Sequence, residues 1–316
     1  MRDDGRGGHD PKSRRQGLPL TQPRVLITGA SGFTGHYLVE KAVERGYLVY
    51  SFSQGQAGKT AEVRDVAGDL RDPASLRAAL GEVQPDYIIH LAAIANVAHG
   101  AIGDYYQVNQ LGTINLLEAI RAEAPGIRKV VLASSANVYG VPDELPITES
   151  TPEKPVNHYG FSKHFMEKSA SLYEDLPILV TRPFNYTGRG QSEDFLIPKL
   201  VNAFRERKDR IELGNIEVAR DFSDVRDVAS VYLALLDADA SNRVFNICSG
   251  VATKLSEVLD MLSQLSGHRC EISSTASLQR SREIPVSYGS PAQLESVIGD
   301  YRHYDLRQTL AWMLEP

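Results

Sequence analysis

Cysteine is scarce in this chain, with two among 316 residues, and tryptophan occurs once. Cys248 and Cys270 have no companions at metal-ligand spacing, so neither a disulfide framework nor a zinc site is expected. Their scarcity suits a reduced, cytoplasmic setting. No apolar run approaches the length of a membrane span. Positive charge is not in excess: 34 Lys and Arg face 40 Asp and Glu, a net charge of −6. That excludes a broad basic face, so neither nucleic acid nor an anionic membrane surface is an expected partner. Apolar residues are scarce only in the opening "MRDDGRGGHDPKSRRQG", which makes residues 1–20 an expected disordered leader. Arg14 and Arg15 are not followed by the apolar stretch that a twin-arginine signal needs. No internal repeat is present. What remains is ordinary for a globular chain, 42% hydrophobic and 23% charged, and long enough for one large domain or two modest ones.

From Arg24 onward apolar strand-like runs alternate with helical patterns. Strands are expected at 24–28, 47–52, 86–91, 128–134 and 177–182, with helices near 33–45, 73–82, 104–124 and 158–175. The strand runs are almost continuously apolar, as in a parallel sheet covered on both faces. After Pro183 the rhythm breaks into shorter elements and polar loops. The expected fold is α/β: a Rossmann-like doubly wound parallel sheet over 21–183, then a smaller C-terminal α/β substrate-binding region over 184–316. Within the latter, "RVFNICSG" is expected to return a strand to the sheet.

The turn "TGASGFTG" follows the first strand and opens the first helix. Gly29, Gly32 and Gly35 form a GxxGxxG triplet. In such a unit the first glycine permits the tight turn, the second lets backbone approach a pyrophosphate, and the third lets the helix pack closely. Phosphates then meet the amides of the helix N-terminus, here at Phe33 and Thr34. A dinucleotide site is expected. An acidic residue at the end of strand 2 would bind the ribose hydroxyls of NAD. Here Ser53 stands in that place. The missing carboxylate leaves room for a 2′-phosphate, with Ser53 and Lys59 as partners, so NADP(H) is expected ahead of NAD(H). "GKT" at 58–60 imitates the end of a P-loop, but Ser53 occupies the place of its first glycine.

"HYGFSKHF" sets Tyr159 and Lys163 four residues apart, on one face of a helix. Ser134 and Ser135 end a strand at the sheet edge where ligands of such folds bind, and Asn109 lies in a helix bordering the same cleft. A phenol held beside an ammonium is expected to have a lowered pKa and to exchange a proton with a carbonyl oxygen.

"TGASGFTG", "HLAA" at 90–93, "NQLGTINLLEA", "SSANVYG" and the Tyr-x-x-x-Lys pair together resemble the extended short-chain dehydrogenase/reductase superfamily. The resemblance implies that Tyr159 is the catalytic acid/base. It also implies that Lys163 binds the nicotinamide ribose and tunes Tyr159, that Ser135 orients the substrate oxygen, and that Asn109 completes the tetrad. Asp69, Leu70, Leu91, Ala92 and Ala93 would border the cofactor. "RPFNYTGRGQ", "RDFSDVRDVASVY" and "RSREIP" are similar to the branch containing GDP-mannose 4,6-dehydratases and GDP-4-keto-6-deoxymannose reductases. There the resemblance implies a nucleotide-diphosphate sugar held by Ser135, Asn137, Asn185, Lys199, Arg220, Arg280 and Glu283. Guanidinium groups suit diphosphate oxygens.

Dehydratases of this branch carry an acid, and fucose-synthase-like enzymes a cysteine, where this chain has Asn137. An amide has no ionisable proton to give. The implied reaction is therefore NADPH-dependent reduction of the C4 ketone of a nucleotide-linked 4-keto-6-deoxyhexose, with GDP as the expected nucleotide. A TDP-sugar 4-reductase, a 4-epimerase and an NADP(H)-sensing regulatory protein are the alternatives. Helices near 104–124 and 158–175 carry extra apolar residues, Ile114, Leu117, Phe161, Phe165 and Leu172. Relatives pair such helices across a two-fold axis, so a homodimer is expected.

Overall fold

In the computed structural model the described residues are 22–54, 62–95, 101–274 and 284–315. The expected leader, Lys59 with its "GKT" segment, Arg280 and Glu283 lie outside them. Seven parallel strands form the central sheet, in the order β11-β6-β5-β4-β1-β2-β3. They are β1 (Arg24–Thr28), β2 (Leu48–Ser53), β3 (Val63–Ala67), β4 (Tyr87–His90), β5 (Lys129–Ala133), β6 (Ile178–Pro183) and β11 (Arg243–Ile247).

Alternate side chains of these strands enter two separate cores, as the two-residue period of a strand requires. Val25, Ile27, Ile89, Val131 and Leu179 pack under α1 (Phe33–Glu44), α7 (Val225–Asp237) and α9 (Ala292–Ile298). Leu26, Ile88, Val130, Leu132 and Val180 pack under α2 (Pro73–Val83), α4 (Gly112–Glu123) and α5 (His158–Ala170). The result is a three-layer α/β/α body. Local sequence sets the helix starts. Asp72 caps α2 by accepting from Ala74 N, with Pro73 in the first turn, and Asn157 caps α5 by accepting from Gly160 N.

The expected helix over 104–124 spans α3 (Ile102–Asp104), a π-helical segment (Tyr105–Leu111) and α4. The helix expected to run to 175 ends at Ala170, because the chain turns there to bury Tyr173 and Leu176 against the sheet. β3 was not among the expected strands. It is a short edge strand, only partly buried, and lacks the continuous apolar run of the inner ones.

The remaining elements stand beyond the carboxyl edge of β6. β7 (Asn185–Thr187) pairs with β10 (Phe222–Asp224), and β8 (Arg210–Leu213) with β13 (Glu271–Ser274). β9 (Ala219–Arg220) lies between β12 (Thr253–Lys254) and β14 (Val286–Ser287). A third apolar cluster joins them to α6 (Leu196–Arg205), α8 (Leu255–Ser266) and α10 (Leu306–Leu314). Among the described residues no helix is long and apolar enough to cross a membrane.

Candidate active site

The carboxyl ends of β1, β2, β4, β5 and β6 open onto one edge of the sheet, and the predicted residues gather there: Gly29 after β1, Ser53 at the end of β2, Leu91 after β4, Ser135 after β5 and Asn185 after β6. Gly29 has φ +73°, and a Cβ on it would stand 2.8 Å from Ala92 N. A Cβ on Gly35 would stand 2.3 Å from Gly29 O and 2.5 Å from Ala30 O. These are backbone atoms that cannot yield, so the turn admits only glycine where helix meets strand. Gly32, exposed at the mouth, precedes α1, whose first turn has no side-chain cap and no acidic residue. Its positive dipole end and free amides suit a phosphate. The cradle thus fits a dinucleotide pyrophosphate. Phe33 stacks on Tyr186, and Thr34 Oγ1 is hydrogen-bonded to Tyr186 Oη at 2.8 Å, which ties α1 to β7. Leu91, Ala92 and Ala93 are half-buried beside the turn, with Ala92 N donating to Thr28 Oγ1. Asp69 holds Arg71 in a bidentate pair that keeps its carboxyl below the usual range, and Leu70 is buried against α4.

Asn109 sits in the π-helical segment, fully buried. Such segments are rare and concentrate at functional sites. Ile94 N donates to Asn109 Oδ1 (2.8 Å), while Asn109 Nδ2 donates to Ile94 O and to Ser162 Oγ (3.1 and 3.0 Å). Asn109 therefore ties the loop after β4 to α5. Behind it runs a buried polar chain that sequence reasoning missed, although "HLAA" contains one member. Thr113 Oγ1 spends its proton on Asn109 O (2.8 Å), so it accepts from His90 Nε2 (2.9 Å). His90 Nδ1 must then accept from Thr28 Oγ1 (2.7 Å). Burial, reinforced by nearby Lys163, pushes the imidazole down to about 3, so His90 is neutral.

Tyr159, Lys163 and Ser135 are all buried and close together, but not in the electrostatic relation the spacing suggests. Lys163 Nζ donates to Ala133 O (2.6 Å), and burial lowers it to about 8, with Glu167 pulling the other way. Tyr159 is pushed up to about 12 by burial, and only hydrogen bonding to Ser135 pulls it down. The expected lowering of the phenol is absent, and the Lys163 ammonium is turned to the β5 carbonyl. The two serines diverge. Ser134 Oγ donates to Glu167, whereas Ser135 Oγ accepts from Asn137 N and Nδ2 and lies near the phenol, easing its ionisation. Glu167 also pairs with Arg182, which reaches Glu153 and Tyr139, forming a buried ion network under the site. No sequence signal flagged it, since its members are scattered from 134 to 182.

Among the predicted sugar-nucleotide contacts, Asn137 lies beside Ser135 and donates to its Oγ. Asn185 is exposed at the edge and donates through Nδ2 to Asp221 O, next to Arg220 on β9. β14, which follows the segment bearing Arg280 and Glu283, runs parallel to β9 with Ser287 opposite Arg220. Asp221 accepts from Ser249 N, Gly250 N and Gly289 N, fixing this corner. Lys199 is exposed on α6. A cavity of about 570 Å³ between α7, α8 and the lead into α10 is lined by none of these predicted residues.

A glycine cradle at the edge of β1 and a Ser–Tyr–Lys group at the edge of β5 define a dinucleotide-dependent oxidoreductase built on the short-chain dehydrogenase plan. The profile of the NAD dependent epimerase/dehydratase family matches residues 25–248, and the chain belongs to that family. It is an NAD(P)-dependent oxidoreductase. It is 36% identical to the GDP-6-deoxy-D-talose 4-dehydrogenase of Aggregatibacter actinomycetemcomitans, over 92% of this chain and 96% of the relative. It is 34% identical to the GDP-6-deoxy-D-mannose reductase of Pseudomonas aeruginosa, over 93% and 97%. The structure of RMD from Pseudomonas aeruginosa complexed with NADPH superposes with a TM-score of 0.80 at 32% identity, over 93% of this chain and 96% of that one.

Proposed function

We propose that the protein reduces the C4 ketone of a GDP-linked 4-keto-6-deoxyhexose with NADPH. The observation that carries this reading is the set Ser135, Tyr159 and Lys163 with an amide, Asn137, at the fourth position. Tyr159 gives its phenolic proton to the C4 oxygen as negative charge develops there. The Ser135 hydroxyl donates to the same oxygen, and buried donors of this kind stabilise such charge strongly. Lys163, from the same helix as Tyr159, binds the nicotinamide ribose. The bound dinucleotide supplies the hydride. Asn137 offers no acid proton, so elimination of water from the sugar is not supported.

Gly29, Gly32, Phe33, Thr34 and Gly35 would hold the pyrophosphate, Asp69 and Leu70 the adenine side, and Leu91, Ala92 and Ala93 the loop side. Ser53 in place of an acid supports NADP(H). In this reading residues 184–316 bind the sugar nucleotide through Asn185, Lys199, Arg220, Arg280 and Glu283, in the cytoplasm. The similarity to two relatives named for GDP-6-deoxysugars supports GDP over TDP. Talose and mannose differ at C4, so those names correspond to opposite faces of one ketone, and either product epimer fits. A 4-epimerase is a second reading, favoured by the family's range. The test is NADPH consumption on addition of GDP- and TDP-4-keto-6-deoxyhexoses separately. Consumption with the GDP sugar supports the reading; consumption only with the TDP sugar replaces the substrate; none with either overturns it.

A homodimer is part of this proposal. Phe161, Phe165 and Leu172 are exposed on α5 and just beyond it; Leu111 is exposed at the end of the π-helical segment, and from the same segment Tyr106 meets Phe165 in a tilted ring contact. Leu117, also expected on that face, is instead fully buried in the core beneath α4. Sedimentation at single-chain mass would count against the dimer.

A further inference from the structure

The side chain of Asn137 can be oriented by logic alone. Gly160 N is a donor only, and it bonds Asn157 Oδ1 (2.8 Å). Asn157 must therefore turn Nδ2 to Asn137, whose Oδ1 accepts it (3.3 Å). That leaves Asn137 Nδ2 to donate to Ser135 Oγ (3.1 Å), and Asn137 N donates to the same oxygen (3.2 Å). A hydroxyl has two acceptor lone pairs and one proton. With both lone pairs engaged by Asn137, and with Ser135 93% buried and screened from water, the proton has one direction left, away from Asn137. Tyr159, buried on α5, lies near Ser135, which eases its ionisation.

We propose that Asn137 is a positioning residue that locks the Ser135 hydroxyl as a hydrogen-bond donor into the reaction site, and that the N-cap of α5, Asn157, sets Asn137 in turn. The helix that carries Tyr159 and Lys163 thereby also fixes the rotor of the serine on the opposite wall. This rests on the ketone-reduction reading above and adds to it a role for an amide. An aspartate at 137 keeps the shape and reverses the polarity: a carboxylate would accept from Ser135 and draw its proton away from the substrate oxygen.

The test is a double-mutant cycle on ketone reduction with NADPH and GDP-4-keto-6-deoxymannose. Ser135→Ala is expected to lower kcat roughly 10²-fold, the loss seen when one such donor is removed. Asn137→Asp is expected to lose nearly as much, and Asn137→Ala about tenfold, with KM for the sugar and Kd for NADPH within about twofold of wild type. Because Asn137 acts through Ser135, the double variant Ser135→Ala/Asn137→Asp should be no worse than Ser135→Ala, a full departure from additivity. Additive losses, or a raised KM with unchanged kcat, would overturn the proposal. Unchanged NADPH binding shows that the isosteric Asp variant is folded. If the wild-type chain leaves the ketone unreduced, the reaction assigned above is overturned first, and this role falls with it.

Discussion

Tyr159 sits where ionisation is opposed: burial holds the phenol near 12, and Ser135 is the group that relieves it. A buried, protonated phenol is suited to giving a proton to an oxygen that is gaining charge. Tyr159→Phe keeps the ring and removes the proton. Turnover is expected to fall about 10²-fold or more, within the range of general acid catalysis, with NADPH binding retained. Steady-state kinetics beside cofactor titration check this, and near-normal turnover would make Tyr159 a packing residue. Ser53 carries a second expectation. Ser53→Asp should shift preference from NADPH toward NADH, since a carboxylate repels a 2′-phosphate and suits free ribose hydroxyls. An unchanged ratio of kcat/KM values would place the 2′ recognition elsewhere.

His90 makes stability depend on pH. Its folded value lies near 3 and its unfolded value near 6.5. Between these the unfolded chain binds a proton that the folded chain refuses, so stability falls as pH falls. The slope from this group reaches about 1.4 kcal/mol per pH unit. Urea unfolding from pH 7 to pH 4 should show His90→Gln losing about one proton's worth of that slope. Equal slopes in both proteins would mean that His90 titrates in the folded state. Much of the active site was legible residue by residue, because Tyr159, Lys163, Ser135, Asn109 and the glycines stand in short motifs. His90, Glu167, Arg182 and Asn157 were not. Their roles come from partners far along the chain, and nothing in their local spacing announces those partners.

At the scale of elements, the strand–turn–helix unit of β1 and α1 depends on the third glycine. Gly35→Ala drives a methyl group into two carbonyl oxygens of the preceding turn. The helix must move off the sheet, taking its N-terminal amides with it. Expected losses are about 1–3 kcal/mol of stability, as for overpacking, and roughly tenfold or more in NADPH affinity. Thermal unfolding and fluorescence titration read the two, and unchanged affinity would show that the cradle tolerates the shift. The buried inner strands were readable as apolar runs, because helices on both faces leave no polar side. β3, with one neighbour and polar residues, lacks that signature. The π-helical segment around Asn109 has no sequence signature; tertiary contacts to the loop after β4 and to α5 hold it.

At the scale of the molecule, the parallel sheet brings residues from β1, β2, β4, β5 and β6 to one edge, and Asn185, just past β6, ties that edge to Asp221 next to Arg220. Alternation of strand and helix made the sheet foreseeable. The second half was less so, since its two- to four-residue strands are set by pairing across long loops. The central claim is that this assembly reduces a ketone and does not eliminate water. Its most direct measurement is NMR identification of products from two incubations, one with GDP-4-keto-6-deoxymannose and NADPH, the other with GDP-mannose and NADP. The expected result is a GDP-6-deoxyhexose bearing a C4 hydroxyl from the first and no change in the second. Water elimination from GDP-mannose would contradict it, because it would require an acid where the chain has Asn137.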